Sequence, residues 1–304
     1  MLDTVFWVTC RDKEKKVELA VRSALAQKHP CRIVITDQGS KDLTRAVIQH
    51  VIKDYDGPHQ VEFYDCPETQ NVGHTGLNDH INWFHKNIEY DICIQCSCDD
   101  YSHPNRVDAT IKAYEENNMP SMVLTAQTFS DPKGNNTFVN TGCTCYPTES
   151  RFVNGVEMID SLIGGSSSQS WSREFMDKIY PLEGLVLPDV YMPFMATQSP
   201  KGCYYLSEIT HSYIRWADEE NTGLGGVLEA LDDGAKKEQT LENIWYHLTN
   251  AYSQCAMKCM EVFPEASEEA RARACAEIVK HAISWSSKRN DMTRNRIQPT
   301  GARI

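Results

Sequence analysis

No stretch of this 304-residue sequence approaches eighteen consecutive apolar residues, so no transmembrane helix is expected. The first residues, Met1 to Val8, lack a basic leader and run straight into a strand pattern, which argues against a signal peptide and for a cytoplasmic protein. The first strand-to-helix turn is Thr9-Cys10-Arg11-Asp12, with no G-x-G-x-x-G, and no G-x-x-x-x-G-K-[ST] occurs anywhere, so nicotinamide and P-loop readings are poor. There is no internal repeat and no long low-complexity segment. Twelve cysteines are present, but in no small disulfide-rich frame, and they read as reduced thiols of a cytosolic chain. Cys93, Cys96 and Cys98 have a spacing that raises zinc. Strand alternation puts Cys96 and Cys98 on one face and Cys93 on the other, so a compact zinc knuckle is not expected.

What is present is enough apolar residue for a core, 41%, in a length that suits one large domain or one and a half. The net charge of −12 is unevenly spread: from Arg271 onward eight Lys and Arg stand against two acids. The acidic body disfavours broad nucleic-acid binding, while the basic tail reads first as a solvated helix end and second as a contact for phosphates or an anionic membrane face.

The first half alternates strand and helix patterns. Strands are expected at Thr4–Thr9, Arg32–Thr36, Gln60–Tyr64, Asp91–Gln95 and Met122–Thr128. Helices are expected at 12–27 with Asp12 as its N-cap, at 42–55, at 75–89, and after Pro104 over Arg106–Asn117. Strands separated by helices predict an α/β fold with a mostly parallel sheet and helices on both faces. Residues 131–170 are rich in Gly, Asn, Ser and Thr and read as loops. Two helices, 227–262 and 267–288, form an expected C-terminal extension broken at Pro264.

Three carboxylate positions sit where such a sheet places ligands, outside the carboxyl ends of its strands. Asp37 closes Ile33-Val34-Ile35-Thr36 and is suited to a ribose. Asp99-Asp100 ends an apolar run, and two acids there suit a divalent ion carrying a diphosphate. Asp189, after Pro188, is either a helix cap or a general base aimed at a hydroxyl.

Taken in order, these segments resemble the inverting family 2 glycosyltransferases of the GT-A fold. Val8-Thr9-Cys10-Arg11-Asp12 stands where the family has a Pro-x-Tyr-Asn type segment. Asp37-Gln38-Gly39-Ser40-Lys41-Asp42-Leu43-Thr44 resembles D-D-G-S-x-D-x-T, and Asn71-Val72-Gly73 with Asn78 resembles N-x-G and its following Asn. Ser97-Cys98-Asp99-Asp100 then Pro104 is similar to D-x-D-D. Gly164–Ser168 with Trp171-Ser172-Arg173-Glu174 is similar to the small-residue acceptor loop and its Arg-Glu, and Asp189 falls where the family has its base. The resemblance covers about residues 3–216.

It implies a GT-A domain over 1–222, with a nucleotide-sugar half (1–129) and an acceptor half (130–222), and a helical extension over 223–304. It implies a nucleoside-diphosphate sugar donor, a UDP-sugar favoured, bound by Thr9, Arg11, Asp37, Asn71, Gly73 and Arg215. Mn²⁺ or Mg²⁺ would be held by Asp99, with Asp100 and His211 as further candidates, and Asp189 would be the catalytic base. Two positions depart from the pattern: Gln38 replaces the second acid, and Ser97 the first acid of D-x-D. Ser212-Tyr213-Ile214-Arg215-Trp216 lacks the Gln of the processive members. The implied acceptor is a glycan or lipid-linked sugar, or alternatively a hydroxymethylated base in DNA. A nucleotidyltransferase, which would release pyrophosphate, and a non-catalytic nucleotide-sugar-binding module are the competing classes.

Overall fold

The computed structural model describes residues 2–68, 74–131, 133, 136–139, 147–155, 166–183 and 188–214, with 258, 261–264 and 276. Their strands are β1 (Thr4–Cys10), β2 (Arg32–Asp37), β3 (Gln60–Asp65), β4 (Ile92–Ser97), β5 (Tyr101–Ser102), β6 (Met122–Ser130), β7 (Asn136–Val139), β8 (Arg151–Val153), β9 (Gln169–Ser172) and β10 (Cys203–Ile214). The helices are α1 (Val17–Leu25), α2 (Thr44–Ile52), α3 (His74–Asn87), α4 (Arg106–Glu116), α5 (Arg173–Ile179) and α6 (Pro188–Gln198), and a 3₁₀ turn spans Ser166–Ser168. No helix among them is long and apolar enough to cross a membrane.

All the strands join one sheet in the order β3-β2-β1-β4-β9-β6-β10-β5, with β7 on β6 and β8 on β10. The four strands of the first half are parallel, as their helical crossovers require. The chain runs outward from β1 to β3 and returns to lay β4 on the other side of β1, so the strand order reverses between β1 and β4. Beyond β4 the sheet is mixed: β9 is antiparallel to both its neighbours, while β10 runs parallel to β6. The antiparallel β9 sits within the mostly parallel sheet that is expected, but its place in the sequence reads as loop. Its four residues, Gln-Ser-Trp-Ser, carry too little apolar pattern to be seen as a strand.

Alternation along the strands explains the two apolar layers. On β1, Phe6, Val8 and Cys10 face α1, α2 and α4, where Val17, Ala20, Val21, Ala24, Ile48 and Val107 pack. Val5 and Trp7 face the opposite layer, with Phe84 of α3, Met176 of α5 and Met192 of α6. Cys93 lies in this second layer and Cys96 and Cys98 in the first, on the faces that alternation predicts. Helix α6 presents buried Tyr191, Met192, Phe194, Met195 and Ala196 around its circumference, as expected of a helix packed on more than one side. Of the expected extension over 223–304 only a few positions are described, and there Phe263 is fully buried in the α3/α5/α6 layer.

Two helix boundaries differ from expectation. Asp12 does not cap α1: it has a positive φ of 48° and lies in a loop, and the helix begins five residues later at Val17. Pro104 precedes the N-cap Asn105 of α4 rather than opening the helix, and its carbonyl accepts a hydrogen bond from Lys28.

Trp7 ties the layers together. It stacks on Phe84 with centroids 4.1 Å apart, meets Trp171 edge-on at 6.1 Å, and its indole N–H donates to Thr36 Oγ1 at 2.8 Å. Replacing it by alanine leaves a cavity under β1 and removes the donor to that hydroxyl, which keeps its bond to the Val8 carbonyl. Trp7→Ala is expected to lower unfolding free energy by about 3–5 kcal/mol, read from the midpoint of urea denaturation, whereas a loss under 1 kcal/mol would contradict this packing.

Candidate active site

Asp37 is fully buried at the end of β2. One carboxylate oxygen accepts from the Ser40 hydroxyl, and the other from the Ser40 amide at 3.1 Å and from Arg45 at 3.3 Å. The same Ser40 hydroxyl accepts from the Asp12 amide (2.9 Å), and the Asp12 carboxylate accepts from the Lys41 amide (2.8 Å). Further along the two loops, the Lys13 amide donates to Thr44 Oγ1 (2.6 Å), the Glu14 amide to Asp42 (2.9 Å) and the Leu43 amide to Glu14 (2.9 Å). The loop after β1 and the turn after β2 are therefore sewn together, residue by residue, by short polar side chains on backbone amides.

Much of the D-x-G-S-x-D-x-T pattern is this seam. The turn demands Gly39, which has φ +69° and would place a Cβ 2.9 Å from Glu68 Cβ. Partial burial pushes the Asp42 carboxyl upward, but the bonds from Thr44 and Glu14 outweigh it and hold the group below the usual carboxylate range.

At the end of β4, Asp99 and Asp100 have different surroundings. Asp99 keeps 27% side-chain exposure and pairs with Lys13 Nζ at 3.1 Å. Asp100 is 5% exposed. Its carboxylate accepts from the Ser167 hydroxyl (2.5 Å) and from the Ile214 amide at the end of β10 (3.2 Å). Burial, reinforced by the neighbouring charge of Asp99, pushes the Asp100 carboxyl up to about 7. Ser167 also accepts from the Ser97 amide (2.9 Å), so the residue standing in place of an acid anchors the turn beneath the pair.

The direction of α6 brings the Asp189 backbone toward the acid-bearing strand ends. Its first turn is held beside the start of β9, the end of that strand nearer the carboxyl ends of β4 and β6, where Gln169 Nε2 donates to the Asp189 carbonyl (2.9 Å). Its last turn reaches the amino edge, where the hydroxyls of Ser199 and Ser121 meet at 2.6 Å. The segment Ser167–Gln169 thus touches Asp100 with one residue and the backbone of Asp189 with another, and Asp37, Asp99, Asp100 and Asp189 share one rim. Enclosure pushes the Asp189 carboxyl up to about 7.

The other expected site residues are distributed unevenly. Thr9 is at the end of β1, its carbonyl accepting from the Cys98 amide, so it joins the β1 and β4 ends. Arg11 follows it, 3.8 Å from Asp12; deep burial, with the Arg11 charge added to it, pushes His80 down to about 3. His211 lies within β10, buried, with Nε2 on Gln127 Oε1 (2.9 Å) and Nδ1 by Thr125 Oγ1 (3.4 Å). Burial holds its ring neutral. Among the described residues no three His, Cys, Asp or Glu form a metal cluster. Asn71, Gly73 and Arg215 lie outside the described residues. Arg173 and Glu174 are at the opposite, amino edge, where Arg173 bonds the Ile88 carbonyl and Glu174 pairs with Lys201, because β9 carries the chain across the sheet before they occur. An open groove of about 490 Å³ lies at that edge too, lined by Asn118, Phe152 and Lys201. Ligands of open α/β sheets bind outside the carboxyl ends, so the acid-bearing rim is the candidate site. Lys13, Arg45 and Gln169 carry no signal in the sequence, and Ser167 is visible there only as a member of the small-residue loop Gly164–Ser168; nothing local to any of them signals its long-range contacts.

The fold and rim have known counterparts. The model of the family "Glycosyl transferase family 2" matches residues 5–159, and the chain belongs to that family. It is a glycosyltransferase of the GT-A fold. The structure of S. aureus TarS 1-349 superposes with a TM-score of 0.54 at 14% identity, covering 94% of this chain and 92% of that one. The same protein in complex with UDP-GlcNAc gives 0.55 at 13%, covering 92% and 89%. The mannosyltransferase PcManGT from Pyrobaculum calidifontis, in complex with GDP-Man and Mn2+, gives 0.53 at 12%, covering 96% and 80%. Among curated proteins none matches.

Removing the Ser40 hydroxyl leaves a buried carboxylate short of a donor and frees the Asp12 amide. Ser40→Ala is expected to cost about 1–3 kcal/mol of stability, and Gly39→Ala about 1–2 kcal/mol through its left-handed backbone. Both are read by urea denaturation; unchanged midpoints would show that the two loops are not held by this seam.

Proposed function

We propose that the chain transfers a sugar, with inversion, from a nucleoside-diphosphate sugar to the hydroxyl of a glycan or lipid-linked sugar. The observation that carries this reading is the shared rim. A partly exposed acid at the end of β4 stands beside the β1–β2 seam, and a second, half-buried acid opens α6. The nucleotide sugars in the TarS and PcManGT complexes support the donor class, with a UDP-sugar favoured.

In this reading Thr9 and the seam held by Asp37 form the floor under the nucleoside, and Asn71 and Gly73 are further donor-binding residues. Since Asp37 is already enclosed by Ser40 and Arg45, it acts through the turn it holds. Arg11 and Arg215 add charge-assisted contacts to the diphosphate. The donor set suits a hard divalent cation: it is all oxygen, and one exposed carboxylate suffices where diphosphate oxygens and water fill the other positions. Asp99 would hold Mn²⁺ or Mg²⁺, with Asp100 bracing the turn and His211 shaping β10. Such a cation, when bound, neutralises charge that builds on the departing diphosphate. Asp189 takes the proton from the acceptor hydroxyl. That oxygen attacks the anomeric carbon as the bond to the diphosphate breaks on the opposite side, so one displacement inverts the centre.

A base raised to about 7 is half ionised there, which fixes the sign of the pH dependence. Turnover should climb with pH in proportion to the ionised fraction and level off above about 7. Asp189→Asn should lose both that limb and roughly 10²–10⁴-fold in rate. The measurement is release of nucleoside diphosphate from a panel of UDP- and GDP-sugars, with and without Mn²⁺. Folded Asp99→Ala should also collapse. Unchanged turnover in both variants would overturn the assignments, and pyrophosphate as the product would point to nucleotidyl transfer instead.

A further inference from the structure

The cation already resting on Asp99 is a lysine. Lys13 Nζ is 3.1 Å from Asp99 Oδ2, and the two side chains are 12% and 27% exposed, so the pair is sheltered rather than a loose surface contact. The backbone of Lys13 cannot follow its side chain. Its amide is fixed to Thr44 Oγ1, and its carbonyl accepts from the amides of Lys16 and Val17 at the start of α1. Only the flexible four-carbon stem is able to move, and it starts from the loop that follows β1, beside the position the diphosphate takes in the function proposed above.

We propose that Lys13 is a resident counter-ion of Asp99, holding the carboxylate in the donor-free protein and transferring its ammonium to the donor's diphosphate when Asp99 takes a divalent cation. Two cations on that carboxylate repel each other, so a metal ion alone must displace the ammonium at the cost of its bond to Asp99. A metal ion arriving with a diphosphate brings the acceptor for Lys13 with it. The consequence is ordered loading: weak metal affinity in the free protein, and metal and nucleotide that strengthen each other's binding by the same factor. Reduction of the D-x-D pattern at Ser97 makes this coupling matter more, because Ser97 brings no carboxylate and that of Asp100 is occupied by Ser167 and Ile214. The inference rests on the assignment of Asp99 as the cation-holding residue.

The test is Mn²⁺ binding by the full chain, followed by loss of the free-ion electron paramagnetic resonance signal, with and without UDP. Wild type is expected to bind Mn²⁺ weakly alone. Lys13→Gln is expected to bind it at least fivefold tighter without nucleotide and to gain less from added UDP, while Lys13→Arg, which keeps the charge, stays close to wild type. Circular dichroism confirms that the variants are folded, and Lys13→Met repeats the test with a stem of similar length. If neither Lys13→Gln nor Lys13→Met changes Mn²⁺ affinity, the counter-ion role is overturned. A Mn²⁺ affinity that survives Asp99→Asn overturns the assignment beneath it, which separates the two failures.

Discussion

The Ser40 hydroxyl is the point on which the rim turns. It donates to the buried Asp37 carboxylate and accepts the Asp12 amide, so the end of β2 and the loop leaving β1 meet on one oxygen. Hydrogen bonds to charged groups contribute about 1.5–3 kcal/mol each, and a buried carboxylate deprived of them costs more than the bond it loses. Thr44, Asp42 and Glu14 extend the same device along both loops. The result is a rigid floor between the first two parallel strands, made without apolar packing at the point where the chain must present polar groups to a ligand.

The four acids of the rim have been given different electrostatic settings by their neighbours. Asp37 is saturated by donors and faces inward. Asp100 is enclosed by Ser167 and Ile214 and raised to about 7, Asp189 is raised to the same range by burial, and Asp99 stays partly exposed against a lysine. Asp99 keeps some access to a ligand, while Asp189 shares with Asp100 a proton affinity near neutrality but not the Ser167 and Ile214 bonds that occupy the Asp100 carboxylate. This sorting assigns Asp100 to holding the turn, although it adjoins Asp99 in the sequence.

The first half of the fold was legible because its signals are local. Apolar β-branched runs at Thr4–Thr9, Arg32–Thr36 and Asp91–Gln95 became β1, β2 and β4 with small shifts at their ends. The second half was not, because β9 and β10 owe their pairing to partners distant in the chain. β10, Cys203–Ile214, mixes Ser, Glu, Thr and His among its apolar residues and shifts register twice against β6, which blurs its alternation. The site divides in the same way. Carboxylates at the ends of apolar runs could be read directly, as Asp37, Asp99 and Asp100 were. The partners that set their behaviour, Lys13 for Asp99 and Ser167 for Asp100, come from loops whose composition carries no periodic signal. Asp12 was misread as a helix cap for a related reason: capping and loop bracing use the same short acidic side chain, and the brace to Lys41 is a contact 29 residues away.

The central claim is that one cleft, at the carboxyl edge of the sheet, grips the diphosphate of an activated sugar. A crystal structure of the chain with UDP and Mn²⁺ tests it most directly. The account predicts the diphosphate between the loop after β1 and Asp99, with Asp189 facing the open side where an acceptor would enter. A nucleotide seated instead in the groove beside Phe152 and Lys201, at the amino edge, would contradict it.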